Sequence, residues 1–349
     1  MIIDQQAQNF AKNKNQEKRK KRLGKTIKLS ALFLVGIFVL IFLINLPVIF
    51  SKLVKPFQNL PTENYKNASV KLDKRVNLLL ITEDSSRVEE IALASYEKGA
   101  NKAILLKFPS STLVGTNSED KSLGALVEFK NGKINNIDKL SSALTVSTGY
   151  LIDGYFVVES PKNWISSSFL DQLFTKLYTP SDFFKVKSNK DFLDRQVFTS
   201  LTIGDFYTLT TEVKKLEPAR FDFIDTNSYL TSDNFIDSQN LKSALGVKFQ
   251  DSKIANEGSS VEIVNASGEE GIGNVVKNIV TNLGGNVVSV TASDQTQKQS
   301  QLLVGQQKFA LTERLKTLFK QTSIKQQSNQ NGVDIKIIIG QDVANRLSY

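Results

Sequence analysis

The sequence predicts an α/β protein: a membrane-anchored mixed domain layered as helix, sheet and helix (αβα), followed by a smaller C-terminal α/β domain. Three observations lead there. One uncharged stretch near the start is long enough to cross a bilayer. Beyond it, continuous apolar runs bounded by charges alternate with helical apolar stripes, the pattern of a sheet covered by helices. That alternation breaks at a short polar stretch and then restarts. The chain has 349 residues, 40% apolar and 23% charged, enough for about two domains with real cores.

Residues 1–28 form a basic tail. Nine Lys and Arg lie between Lys12 and Lys28, against only Asp4 and Glu17, so the tail holds +7 of the chain's net +9. Leu29 to Phe50 carries no charge, and at 1.5 Å per residue its roughly 22 residues reach about 33 Å, matching a bilayer core. A cleaved signal peptide would have a shorter core and a small-residue cleavage site, which is not seen. The cluster Lys18 to Arg22 before the span keeps the N-terminus cytoplasmic and sends the rest of the chain outside. Because the basicity sits in a tail with no folded reader, no nucleic-acid partner is expected.

Composition removes whole classes of chemistry. The chain has no cysteine and no histidine, so disulfides, thiolate nucleophiles, Ser-His-Asp triads and the HExxH zinc motif are excluded. Any catalysis must come from carboxylates, Lys, Arg, Tyr, Ser or Thr, or a hard metal.

Residues 51–73 mix Pro, Asn and Lys without a period and read as a tether. In the first domain, 74–250, Val76 to Thr82 (VNLLLIT), Lys102 to Phe108 (KAILLKF) and Gly154 to Glu159 (GYFVVE) read as buried strands, the second stopped by Pro109. Val88 to Tyr96 is ambiguous, since Glu and Ala favour helix while the alternation favours strand. Leu126 to Phe129 before Asn131-Gly132 reads as a hairpin arm. Ile134 to Leu144, Phe169 to Tyr178 and Ile203 to Leu216 read as helices, the last entered through a capping box at Thr202 and Asp205. Asp251 to Ser260 is polar and Gly/Ser-bearing, hence a linker. In the second domain, 261–349, strands are expected at Val261 to Val264, Asn286 to Val290 and Asp334 to Ile339, with helices at Glu269 to Leu283 and Lys308 to Phe319.

The turn Val261-Glu-Ile-Val-Asn-Ala-Ser-Gly268 resembles the first strand and turn of the C-terminal domain of LytR-type proteins. Gly271-Ile272-Gly273, Leu283 to Val288 and Asp334 to Asp342 continue the likeness in order, covering about Ser259 to Asp342. In the first domain, Val76 to Thr82, Lys102 to Thr112 and Ser147 to Glu159 are similar to strands of the LytR-CpsA-Psr catalytic domain, and Ser200 to Asp205 to its late turn. On that likeness Val88 to Tyr96 is a strand.

The resemblance implies a magnesium-dependent transfer of lipid-pyrophosphate-linked glycopolymer to peptidoglycan, with Arg clamping the pyrophosphate. This chain departs from the family where charge matters. Its Pro-Arg-Asp-Thr segment is Pro109-Ser110-Ser111-Thr112, and hydroxyls cannot neutralise phosphoryl oxygens. Arg87 and Glu89 stand where the family has Arg-Ser-Asp-Thr, and Arg195 remains in Asp191-Phe-Leu-Asp-Arg195-Gln196. Arg87, Glu89 and Arg195 are thus the catalytic candidates, and Asn265, Ser267 and Gly268 of the C-terminal turn the ligand-binding ones. No metal ligand is assigned, and magnesium enters only if the site is active.

The expected role is a non-catalytic, degenerate member of the family, bound to cell-wall glycopolymer, peptidoglycan or an envelope partner. A working phosphotransferase on polyprenyl-pyrophosphate lipid and an envelope-related transcriptional attenuator are the alternatives. A periplasm-type reporter fused after Tyr349 is expected to be active, and one that works only in the cytosol silent; the reverse result would invert the topology.

Overall fold

Why the first domain is a six-stranded sheet follows from its apolar runs. The computed structural model describes residues 60–62, 65, 72–84, 86–115, 120–130, 133–159, 197–213, 215–305, 309–319, 323–326 and 332–348, all within one unit, Phe57–Tyr349. The expected tail 1–28, span 29–50 and helix Phe169 to Tyr178 lie outside the described residues. Among the described residues no helix is long and apolar enough to cross a membrane.

Strands β1 (Val76–Asp84), β2 (Arg87–Glu97) and β3 (Lys102–Phe108) form an antiparallel meander. The ambiguous stretch is therefore strand: Ile91 and Leu93 pair with Ile81 and Leu79 and enter the core, which outweighs the helix propensity of Glu and Ala. After the short strands β4 (Leu113–Gly115) and β5 (Asp120–Ser122) comes the hairpin β6 (Glu128–Lys130) and β7 (Lys133–Asn136), whose tip lies outside the described residues. Helix α1 spans Asp138–Thr148. The helix expected from Ile134 thus starts later, because Ile134 pairs with Phe129 and the Asn136 carboxamide oxygen accepts the N–H of Asp138 at 2.7 Å.

Strand β8 (Gly154–Glu159) lies parallel to β1, β9 (Val197–Thr199) closes one edge, and β10 (Phe221–Asp225) runs parallel to β3 at the other. The order is β10-β3-β2-β1-β8-β9. Leu79, Ile81, Leu93, Leu106 and Val157 face one core with Leu140 and Leu144 of α1. Helix α2 (Ile203–Val213) begins with the expected box: Thr202 N–H and hydroxyl donate to Asp205, whose N–H donates back to the Thr202 hydroxyl. Helix α3 (Ser238–Leu245) adds Leu241 and Leu245 to that core.

The expected linker and two described residues of the expected tether are packed into the body. Asp251 to Ser260 holds helix α4 (Ser252–Glu257), since Asp251 caps the N–H groups of Lys253 and Ile254 and Gly258 ends the helix at φ 60°. Within the expected tether, Leu60 and Tyr65 are buried; Leu60 N–H donates to the Tyr155 hydroxyl at 2.8 Å, and Tyr65 meets Ser141 and the edge of the Tyr155 ring.

The second domain is a five-stranded sheet ordered β12-β11-β15-β13-β14. Its elements are β11 (Ser260–Asn265), α5 (Ile272–Leu283), β12 (Asn286–Ala292), β13 (Gln301–Val304), α6 (Ala310–Leu318), β14 (Ser323–Gln326), β15 (Ile335–Ile339) and α7 (Gln341–Leu347). Strand β11 is parallel to both β12 and β15, while β13 runs antiparallel to β15. The sequence reading did not anticipate β13, β14 and α7. Helix α5 starts at Ile272 rather than Glu269 because Gly271 takes φ 82°.

The seam between the domains carries a buried ion pair and several polar contacts. Arg314 of α6 is 1% exposed and grips both carboxylate oxygens of Asp153, its NH2 group at 2.7 Å from Oδ2. Asp153 is itself fixed, its N–H donating to Asn77 O and its Oδ2 accepting Asn77 N–H. Asn282 donates to Thr148 O at 2.9 Å and Ser142 to Arg346 O at 2.8 Å. Gly149, at φ 73°, has no room for a side chain, because a Cβ would fall 2.4 Å from the Asn282 amide. Leu151 from the first domain completes the second domain's core.

Replacing Arg314 by Ala strands the Asp153 carboxylate and is expected to cost roughly 3–5 kcal/mol in denaturant unfolding, with the Arg314→Met, Asp153→Leu double variant recovering much of it. Burial also pushes the Tyr155 hydroxyl up to about 12, offset by the Leu60 N–H, and raises Tyr65 and Tyr150. A folded value above the unfolded one, about 10, means that stability is intact below about pH 10 and falls as pH rises toward 12. Unfolding free energy measured from pH 8 to 12 should show that loss, and Tyr155→Phe should blunt it.

Candidate functional site

At the end of the first sheet where β1 and β3 finish stand two of the sequence candidates, Arg87 and Glu89. Arg87 opens β2 just after Ser86, which turns the chain at φ 69°. Its side chain is 76% exposed, with Nε 3.7 Å from Glu89, whose own side chain is 9% exposed. At 3.7 Å and with Arg87 in solvent, the pair contributes little. Arg195 lies outside the described residues. A second cation stands here that the sequence did not single out: half-buried Lys107, held by the buried Glu90 at 2.7 Å.

After β3 the segment Pro109 to Thr112 folds into a turn, Thr112 N–H donating to Pro109 O. Ser110 O and Thr112 O accept the N–H groups of Gly124 and Leu123, so this backbone is committed to holding the next turn. Thr112 is buried and Ser111 exposed. Around these strand ends stand Glu83, Asp84, Glu89, Glu90 and Asp225, against Arg87 and Lys107. Among the described residues carboxylates outnumber cations here, the reverse of what a pyrophosphate needs. Among the described residues no group of three or more carboxylates is placed to hold a metal ion.

The second domain offers a cleft of about 460 Å³ where β11 and β12 end and α5 begins. Asn265 builds its floor: Oδ1 accepts the Ser267 N–H and hydroxyl, and the amide donates to Glu269 O at 2.8 Å. The Ser267 hydroxyl in turn accepts the Glu269 N–H. Asn265 and Ser267 are therefore the frame of the turn, and only Asn265 and Gly268 reach the cleft. Gly268 at φ 81° and Gly271 at φ 82° let the loop pass close to Thr296 and into α5, which has no side-chain cap. Glu269 and Glu270 line the mouth, a pair the sequence reading passed over although they follow the turn directly.

The closing motif is also framework. Asp342 accepts from Ser300 N–H, the Ser300 hydroxyl and Val343 N–H, and Gly340 leaves no space for a Cβ beside Gln299.

Residues 259–342 match the family described as LytR cell envelope-related transcriptional attenuator, so the second domain is of the LytR C-terminal type. No curated protein matches the chain. Among solved structures, TagV of B. subtilis is similar at 13% identity, covering 62% of this chain and all of that one, with a TM-score of 0.38. The LytR-Csp2A-Psr enzyme of Actinomyces oris is similar at 11%, covering 55% of this chain and 96% of that one, TM-score 0.38. The B. subtilis transcriptional regulator yvhJ is similar at 15%, covering 50% and 94%, TM-score 0.33.

Arg87→Ala is expected to leave unfolding free energy within about 0.5 kcal/mol of wild type. Asn265→Ala, which frees the Ser267 and Glu269 groups, should cost roughly 1–3 kcal/mol. Denaturant titration of both variants checks the contrast between an exposed charge and a turn frame.

Proposed function

We propose that the protein is an envelope protein held in the membrane by residues 29–50, whose outer body binds cell-wall glycopolymer, peptidoglycan or an envelope partner without transferring it. The carrying observation is the acidic strand end of the first domain, where Arg87 points to solvent and Lys107 is already held by Glu90. A lipid pyrophosphate brings at least two negative charges, and with Ser110 in place of Arg and carboxylates nearby the barrier to phosphoryl chemistry is raised rather than lowered. The cell-envelope description of the family matched by 259–342 supports the compartment. The uncharged 29–50 stretch with its basic flank supports the anchor and its direction.

Purified full-length chain in detergent, given polyprenyl-pyrophosphate-linked glycan, peptidoglycan and magnesium, is expected to release no polyprenyl monophosphate above a blank while still retaining wall polymer on a pull-down. Transfer that disappears in Arg87→Ala would instead establish the phosphotransferase.

A further inference from the structure

The cleft of the second domain has a shape that selects among wall components. Its wall on the β12 side is formed by four consecutive residues, Val290 to Ser293. Val290 to Ala292 are the last residues of β12 and Ser293 follows them, so the cavity meets the C-terminal end of the sheet's edge strand. Among the described residues β12 pairs with β11 and nothing else. Ser293 N–H donates inward to Asn265 O at 2.8 Å, which by alternation turns the N–H groups of Ala292 and Val290 outward to that edge.

A register shift bounds the usable length. Val261 and Glu262 pair with Val287 and Ser289, so Val288 bulges out, 53% exposed, and the regular edge begins after it. Opposite stand Gly268 to Gly271, Gly273 and Asn274. The charge there is negative: the uncapped start of α5 contributes roughly +0.5, and Glu269 and Glu270 contribute −1 each, leaving about −1.5. The Ser348 hydroxyl at 3.2 Å from Glu269 adds no charge, and no Lys or Arg lines the cleft.

We propose that this cleft binds a short extended peptide bearing a free primary amine, the peptide adding to the β12 edge through Val290 and Ala292 and the amine resting on Glu269 and Glu270. A peptide branch of a wall polymer fits this description, and a polyphosphate chain is rejected by the same charges. The inference rests on the polymer-binding reading above and names the part of the polymer that is held.

The test uses full-length chain in detergent and titration calorimetry with two probes, acetyl-Ala-Ala-Lys-Ala-Ala-amide and the same peptide acetylated on the lysine amine. The free amine is expected to bind at least about tenfold tighter, the yield of one charge-assisted contact. Glu269→Gln with Glu270→Gln, both exposed, should erase that preference, and Ala292→Pro should weaken both peptides alike by removing an outward N–H. Equal affinity for the two peptides in wild type overturns the proposal, as does binding of an uncharged oligosaccharide alone. If wall polymer is retained while neither peptide binds, only the ligand class falls; if neither is bound, the polymer-binding reading falls with it.

Discussion

One buried ion pair fixes how the two domains of the body meet. Arg314 carries a permanent charge into the seam at 1% exposure, and an unpaired charge there would cost several kcal/mol. The second domain can therefore dock only where Asp153 receives it, and Asp153 is in turn held by the backbone of Asn77 at the start of the central strand. Gly149 follows from the same constraint, because α5 comes so close that a side chain there would strike Asn282. The helix α4, capped by Asp251 and tied to Glu97 through Ser252 N–H, leaves no slack between the domains.

That docking places the second domain beside the start of β1, whereas the acidic cluster stands at the other end of the same strand. The two ends have diverged in chemistry. At the β3 end, serines stand at Ser110 and Ser111, and among the described residues Arg87 is exposed and Lys107 is paired with Glu90. At the second domain, a glycine-bearing turn keeps a cleft open between a helix start and a free strand edge.

The strands VNLLLIT, KAILLKF and GYFVVE were legible because a strand buried on both faces must be apolar throughout, and each lies where its apolar run lies. The Thr202 and Asp205 box was legible for a local reason, since its hydrogen bonds close within one turn. What composition hid were elements stabilised from a distance. Polar Asp251 to Ser260 looks like a linker, yet Asp251 and Gly258 are a cap and a stop, and Glu97 from another strand accepts Ser252 N–H. Gln301 to Val304 is too short to show a period and exists because β15 and β14 flank it. The candidate turn at Asn265 was found by resemblance, but its role as frame needed the hydrogen bonds, and the Val290 to Ser293 wall needed the sheet order.

Amide hydrogen exchange on the full-length chain, with and without wall polymer, tests most directly the claim that binding has moved to the second domain. The account predicts slowed exchange at Gly268 to Asn274 and at Val290 and Ala292, with Arg87 to Glu90 and Lys107 to Thr112 unchanged. Protection confined to Arg87 to Glu90 and Lys107 to Thr112 would contradict it.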